Sequence, residues 1–431
     1  MERYAIGLDL GTSSAKAVLL SESRGIVDKA TASFIYKPAY LPDGAEYLGI
    51  DPELFYETVA GVIKNLSASI PENAEFCGIA MASASGNSIL CDEDGVALIH
   101  GYSWLNKPFT EEIAAVFGED FGKNVRERAG WGLSGSFPLG QLSHIKLHAP
   151  ELLDSAGVVC MTTEYLLHRL TGKWGIDPST ATPFFFLDQK ARAWNGDYLA
   201  PLGIDEKKLP PLGACGGLLG GITEEAARDT GLAAGTCVYL GSFDHPTAAR
   251  ACEILEEGDL LISCGTSWVC FFPMNNREQI VNNSFLCDPF LTPDGPWGAM
   301  SSLARVSEKI KEVVEKYISC GEDKFELLDM YAARSCKKTE GLVIDPMGEI
   351  PNLCGYSKES IARALMEGVA RKLKERVDGI IKVKRVSMCG GPSSSEMWRK
   401  VLSEVFGVPI TVTYGAHSGA AGAALYALRA R

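Results

Sequence analysis

Two segments of this chain carry the same phrase: Gly7-Leu-Asp-Leu-Gly-Thr-Ser-Ser-Ala-Lys-Ala-Val-Leu-Leu20 near the start and Leu260-Leu-Ile-Ser-Cys-Gly-Thr-Ser-Trp-Val-Cys-Phe-Phe272 past the middle. Each reads as strand, turn, strand, with strand-forming residues on both sides of a Gly-Thr-Ser turn that is expected to need positive φ at its glycine. Such a turn aims backbone N–H groups and two hydroxyls at one point, which makes an anion cradle. Taken singly, a Gly-Thr-Ser between apolar strands is also an ordinary hairpin. Two in matching contexts constrain the fold to a pair of like α/β domains with a cleft between them, able to grip the phosphates of one nucleotide.

Size agrees with that organisation. At 431 residues the chain exceeds what one hydrophobic core usually serves. A net charge of −13 with no long Lys/Arg run argues against nucleic acid and anionic membranes. The thirteen cysteines are an odd number, with no C-x-x-C pair and no Cys/His grouping at metal-ligand spacing, so they read as reduced and mostly buried. The start, Met1-Glu-Arg-Tyr-Ala-Ile-Gly-Leu8, enters a strand at once, and no apolar stretch nears a membrane span. The expected location is the cytoplasm.

Along the chain, a third strand is predicted over 25–34, a Pro- and Tyr-rich loop to Gly49, and a helix opened by Asp51-Pro52-Glu53 that runs to about Ser69. A strand over 76–82 delivers the small polar run Ser83 to Asn87. Segments 88–91 and 97–99 read as a hairpin closed by Asp92-Glu-Asp-Gly95. Helices are expected over 141–148 and over 163–171, the latter capped by Gly172. The glycine cluster 213–221 reads as a connector. After a strand over 236–240 the second domain begins at Ser242, which divides the chain into 1–241 and 242–431. Helices over 301–317 and 358–377 follow, then a strand over 385–388, a glycine turn, a helix over 396–406, a strand over 409–413 and a last helix.

Asp9 lies two residues before Gly11. A carboxylate beside phosphates repels them unless a cation intervenes, so Asp9 is the candidate for Mg²⁺ held largely through water; a turn-capping role is the alternative. Asp244 follows an apolar strand and precedes a helix of small residues, where a carboxylate can accept the proton of an attacking hydroxyl or simply cap the helix. His245 beside it reads as structural. The Gly390-Gly391 pair follows a strand and lets backbone approach a flat ligand. The small residues of Gly415 to Ala424 read as close helix packing. Trp104 and Asn106 offer an aromatic face and an amide suited to a polyol.

Taken in order, these pieces resemble the FGGY carbohydrate kinases, within the wider group of sugar kinases, actins and Hsp70-type ATPases. The resemblance covers nearly the whole chain. Ile6 to Lys16 looks like the family's first phosphate motif, Cys264-Gly-Thr-Ser267 like its second and Gly390-Gly-Pro-Ser393 like its adenosine motif. Glu164-Tyr-Leu-Leu-His-Arg-Leu-Thr-Gly172 is similar to the family's D-Y-L…L-T-G helix, Gly241-Ser-Phe-Asp-His245 to its catalytic-aspartate segment and Arg363-Ala-Leu-Met-Glu-Gly368 to its R-A-x-x-E-G helix.

That resemblance implies two ribonuclease-H-like, actin-like ATPase domains with a nucleotide and sugar cleft, and ATP with Mg²⁺ as cofactors. It makes Asp244 the general base and places Asp9 near Mg²⁺. Gly11, Thr12, Ser13, Gly265, Thr266 and Ser267 would surround the phosphates, while Gly390, Gly391 and Pro392 would lie under the adenosine. Ser85, Gly86, Asn87, Trp104 and Asn106 would join Asp244 around the sugar. A homodimer is compatible with it.

Two departures concern the sugar. Xylulokinase-like members commonly carry Met-His-Gly where this chain has Ser85-Gly86-Asn87, and W-x-D where it has Trp104-Leu105-Asn106. The stretch between the second hairpin and the adenosine motif is also short for the family, as if part of a lid or dimer surface were missing. The expected function is an ATP- and Mg²⁺-dependent kinase of a small ketose or polyol. The alternatives are a nucleotide switch of the actin or Hsp70 kind, or a sugar sensor without turnover.

Overall fold

The computed structural model describes residues 1–291, 295–335, 339 and 341–430. The chain forms two compact units. Unit 1 comprises Met1–Ala248, Glu278–Pro289 and Gly419–Arg431, and unit 2 comprises Ala249–Arg277 and Phe290–Ser418. The expected junction after residue 241 falls within the strand Cys237–Phe243, and the chain passes to unit 2 only after Ala248.

The main sheet of unit 1 runs in the order Leu218–Gly221, Cys237–Phe243, Glu75–Ser83, Arg3–Leu10, Ser14–Ser21, Gly25–Ser33. Arg3–Leu10 is antiparallel to Ser14–Ser21 and parallel to Glu75–Ser83, which in turn is parallel to Cys237–Phe243. The central strand Arg3–Leu10 is buried over almost its whole length, as a strand covered on both faces must be, whereas the edge strand Gly25–Ser33 alternates. Its cover includes the helix Pro52–Ser67. The Asp51 carboxylate accepts from Glu53 N and Leu54 N at 3.1 and 3.2 Å, and Phe55, Val59, Ile63 and Leu66 form the buried stripe.

Unit 2 repeats the order and the senses. Trp297–Leu303 is antiparallel to Trp268–Met274, which is antiparallel to Asp259–Cys264; Arg385–Gly390 and Ile410–Thr411 then follow in parallel. The helix Lys358–Glu375 occupies the same place in chain order as Pro52–Ser67. The duplicated hairpin thus belongs to a duplicated sheet.

Several expected elements take other forms. The loop before Gly49 contains an antiparallel pair, Tyr36–Tyr40 with Glu46–Ile50, that opens a second sheet in unit 1. Residues 97–99 form no full strand: the expected hairpin is reduced to one antiparallel bridge, Cys91 with Ala97, while Ser88–Cys91 pairs along its length with Val158–Met161. The glycine cluster ends in the edge strand Leu218–Gly221. Residues 301–303 finish a strand, so the helix there is Val306–Tyr317.

The helix Ser418–Arg429 explains the small residues around it. A Cβ at Gly7 would lie 1.9 Å from Ala420 O, and one at Gly422 would lie 2.2 Å from Thr247 O. The backbone of Gly419–Arg429 therefore rests directly on the first strand and on the helix Asp244–Ala251, an approach only glycine allows. Most of the described cysteines are buried, although Cys320 and Cys354 are exposed. Cys336 lies outside the described residues. No described helix is long and apolar enough to cross a membrane.

Candidate functional site

In unit 1 the sheet sets out the candidate residues by register. Asp9 pairs with Lys16 on one side and Ala82 on the other, and Ala82 pairs with Ser242. One step along, Leu10, Ser83 and Phe243 form the next row, and Asp244 leaves the sheet directly after it as the first residue of its helix. Burial pushes the Asp9 carboxyl up to about 7, repulsion from Asp244 adds to the shift, and Lys16 opposes it. The Asp244 charge, just past the end of one strand, thus adds to burial at Asp9 on another, with Lys16 as the opposing charge.

Asp244 Oδ1 accepts from His245 N at 2.7 Å, and His245 Nε2 lies 3.8 Å from the same oxygen. The Asp244 side chain stays 24% exposed, so it is reachable. Its backbone is anchored. Thr247 Oγ1 donates to Phe243 O at 2.9 Å, Ser242 and Thr247 hydroxyls meet at 2.6 Å, and Ser242 Oγ meets Tyr426 OH at 2.8 Å. From the other side the helix Ser418–Arg429 presses on Asp9, since a Cβ at Gly419 would sit 2.6 Å from Asp9 Oδ2.

Both Gly-Thr-Ser turns are present, but their glycines correct one expectation. Neither Gly11 nor Gly265 takes a positive φ. A Cβ on either would meet only an oxygen of its own turn, Ser14 O at 3.5 Å or Ser267 O at 3.6 Å. The turns close through Gly11 N to Ser14 O at 3.1 Å and Gly265 N to Ser267 O at 3.2 Å, bonds that any residue can make. The fold itself therefore does not require glycine at either position. Behind the first turn Tyr36 OH donates to Thr12 O, and behind the second Ser267 Oγ accepts from Arg305 N at 2.9 Å. The Tyr36 and Arg305 supports escaped the sequence reading.

The two adjacent glycines of unit 2 differ in the same way. Gly390 has φ +90, and its Cβ would lie 2.1 Å from Cys264 O, so packing against the hairpin strand demands glycine there. Gly391 has an ordinary φ and nothing within 4 Å of its Cβ position, and Pro392 follows in a short helical turn. The Arg363 helix is structural by its contacts: Arg363 bonds Glu367 at 2.7 Å and also reaches Glu404. A Cβ on Gly368 would lie 2.0 Å from Ile344 O.

Ser85-Gly86-Asn87 forms the crossover from the strand Glu75–Ser83 of the first sheet to Ser88–Cys91 of the second. Ser85 sits at φ 32 and Gly86 at φ 99. Ser85 Oγ is buried without a hydrogen-bond partner. Asn87 Oδ1 accepts from Trp104 N at 2.9 Å, which ties the crossover to the Trp104 ring stacked at 6.3 Å on Phe137. Asn106 is used differently: Nδ2 donates to Leu48 O and Ser103 O, and Oδ1 accepts from Leu48 N, all within 2.9 Å. Gln141 and Phe137, also at this crossover, had no sequence signal, because their contacts join segments far apart in the chain.

Among the described residues no three His, Cys, Asp or Glu side chains converge in a way that could hold a metal ion. Asp9 offers a single carboxylate beside a second one, which fits a cation kept mostly by water.

The N-terminal domain of the FGGY family of carbohydrate kinases matches residues 4–250, and its C-terminal domain matches residues 349–431. The chain is 25% identical to a gluconokinase of Bacillus subtilis (strain 168), across 100% of this chain and 88% of that one. It is 22% identical to a xylulose kinase of Staphylococcus xylosus, across 98% and 90%. The crystal structure of xylulose kinase from Rhodospirillum rubrum superposes with a TM-score of 0.86 at 24% identity, covering 99% of this chain and 89% of that one, which shows a shared fold. With the matched domains spanning most of its length, this chain belongs to the FGGY family of carbohydrate kinases and is an ATP-dependent sugar kinase.

Proposed function

We propose that the chain transfers the γ-phosphate of ATP to a hydroxyl of a small ketose or polyol, with Asp244 as general base. The observation that supports this reading is the sheet register of unit 1, in which Asp9 lies one row behind Leu10, Ser83 and Phe243 and Asp244 follows directly after that row. A reachable carboxylate at the end of an anchored strand is suited to accept a proton, and a second one beside it is suited to a cation. Asp9 would hold Mg²⁺ through water, and bound Mg²⁺ supplies neutralisation of phosphate charge. Positioning and charge neutralisation do most of the work in such a transfer.

The nucleotide assignment draws on glycines that the fold leaves unexplained. Gly11 with Thr12 and Ser13, and Gly265 with Thr266 and Ser267, would donate to phosphate oxygens, while Gly391 and Pro392 would lie beneath the adenosine. Gly390 supports that turn from within. For the acceptor, Ser85, Gly86, Asn87 and Trp104 are the proposed contacts. Asn106 joins them through the backbone it fixes, since its amide is committed to Leu48 and Ser103. The curated relatives bear the names of gluconate and xylulose kinases, so both acceptor types belong in the test. A cytoplasmic location would suit the odd number of cysteines and the absence of a C-x-x-C pair.

The test is ADP release with ATP and Mg²⁺ against a panel of pentuloses, hexuloses, polyols, glycerol and aldonates, with a control lacking sugar. ADP formed with one or two ketoses or polyols supports the reading. Turnover with aldonates alone would replace the acceptor class, and sugar-independent ADP release would favour a nucleotide switch.

A further inference from the structure

The Ser85-Gly86-Asn87 crossover is held by a side chain outside it. Gln141, fully buried on the helix Pro138–His148, donates from Nε2 to Gly86 O and to Ser136 O, both at 2.7 Å, and accepts Ser88 N on Oε1 at 2.9 Å. Gly86 N is engaged as well, by Met161 Sδ at 3.3 Å. The crossover needs such support. Ser85 sits at φ 32, a left-handed conformation that a serine adopts only when its surroundings impose it. Gly86 is pinned by Phe137, whose ring carbon would lie 2.6 Å from a Cβ there.

Two polar groups of the crossover are left over. Ser85 is 3% exposed, yet its Oγ has no hydrogen-bond partner. Asn87 commits Oδ1 to Trp104 N, while its Nδ2 makes no hydrogen bond among the described residues. A buried hydroxyl that the protein leaves unsatisfied, in a segment whose backbone is otherwise tied down, points to a ligand. Both groups are neutral, which suits hydroxyl and carbonyl oxygens better than a carboxylate.

We propose that Gln141 is a positioning residue for the phosphate acceptor: its carboxamide holds the Ser85-Gly86-Asn87 crossover so that Ser85 Oγ and Asn87 Nδ2 face a neutral, hydroxylated substrate. The inference rests on the acceptor reading of this crossover given above. Gln141 touches no substrate. Its effect runs through the carbonyl of Gly86 and the amide of Ser88, and a crossover displaced by an ångström weakens acceptor binding without disturbing the nucleotide hairpins.

Gln141→Glu removes the two donors and keeps an acceptor for Ser88 N; Gln141→Met removes all three bonds at similar length. Each is compared with the unaltered full chain using the panel sugar of highest kcat/KM. The expected result is an acceptor KM raised by about tenfold to a hundredfold, with ATP KM within about twofold. Hydrogen exchange should quicken at residues 84–88 and stay unchanged at residues 9–16. Unchanged exchange and acceptor KM, or acceptor and ATP KM rising together with a fall in Tm, would overturn the proposal. Ser85→Ala and Asn87→Ala separate the two levels. If they raise acceptor KM and the Gln141 variants do not, the positioning role alone fails; if they leave it unchanged, the acceptor reading fails and takes the proposal with it. Where Gln141→Met does not fold, Gln141→Glu decides.

Discussion

Asp244 opens its helix directly after the sheet row of Leu10, Ser83 and Phe243, and Asp9 lies one row behind. The two carboxylates stand at the ends of separate strands of one sheet; burial lifts Asp9 most, the Asp244 charge lifts it further, and cross-strand Lys16 pulls it back. A fold that gathers like charges does so at a cost in stability, and such places are where ligands act.

Replacing Asp244 by Asn keeps the side-chain shape and removes both the charge and the ability to take a proton. We expect kcat to fall by about 10²–10⁴-fold with ATP affinity retained, measured by steady-state kinetics and by calorimetric titration of ATP. Near-normal turnover would remove Asp244 from the role of base.

Asp9→Asn should move stability and activity in opposite directions. Losing a buried carboxylate that repels its neighbour should raise Tm, while the Mg²⁺ concentration giving half-maximal rate should rise by about tenfold or more. Calorimetry and an Mg²⁺ titration of the rate read the two effects. A variant with normal Mg²⁺ dependence would detach the cation from Asp9.

The two kinds of glycine separate in mutants. Gly11→Ala and Gly265→Ala introduce no backbone conflict, so stability should hold or rise by about 0.4–1 kcal/mol while ATP KM increases. Gly390→Ala puts a methyl at 2.1 Å from Cys264 O at φ +90 and should lower stability by at least about 1–3 kcal/mol. Denaturant melts and ATP kinetics on the three variants check this; an alanine at 11 that binds ATP normally would contradict the phosphate assignment.

Glu164 gives the chain a pH dependence away from the site. It is fully buried, Oε2 accepts from Met161 N at 2.9 Å, Oε1 has no partner, and burial raises its carboxyl to about 8. The folded state therefore holds this proton more tightly than the unfolded chain does. Its contribution is fully present below the ordinary carboxylate range, near 4.5, and is lost as pH rises toward about 8. Glu164→Gln should flatten the decline in Tm between pH 5 and pH 8; an unchanged decline would mean another group is responsible.

The duplicated sheet was legible because each Gly-Thr-Ser turn is flanked by runs of strand-forming residues, and the Asp51-Pro52-Glu53 start is encoded locally. Other elements were not, and the causes are particular. Pro38 hid the edge strand Tyr36–Tyr40, and Trp297–Leu303 is made largely of small and polar residues that carry no strand signature. At Ser88–Cys91 the nearer segment keeps one bridge of the expected hairpin, Cys91 with Ala97, but the full ladder is made with Val158–Met161, which lies far along the chain. At the candidate site, the proposed residues were chosen from local motifs. Gln141 could not be, since its role exists only once the crossover lies against its helix. The family's Arg363 and Gly368 explain themselves through packing, which no motif distinguishes from chemistry.

Gly7 and Ala420 touch through their backbones with almost the whole chain between them. During translation the first strand is made early, and its face at Gly7 stays open until the helix Ser418–Arg429 follows. A truncated product that lacks this helix would leave the Asp9 side of the sheet bare, and such chains are natural clients for chaperones and proteases. The contact therefore makes the cover on this face of the first strand the last described part of unit 1 to be synthesised, after nearly all of unit 2.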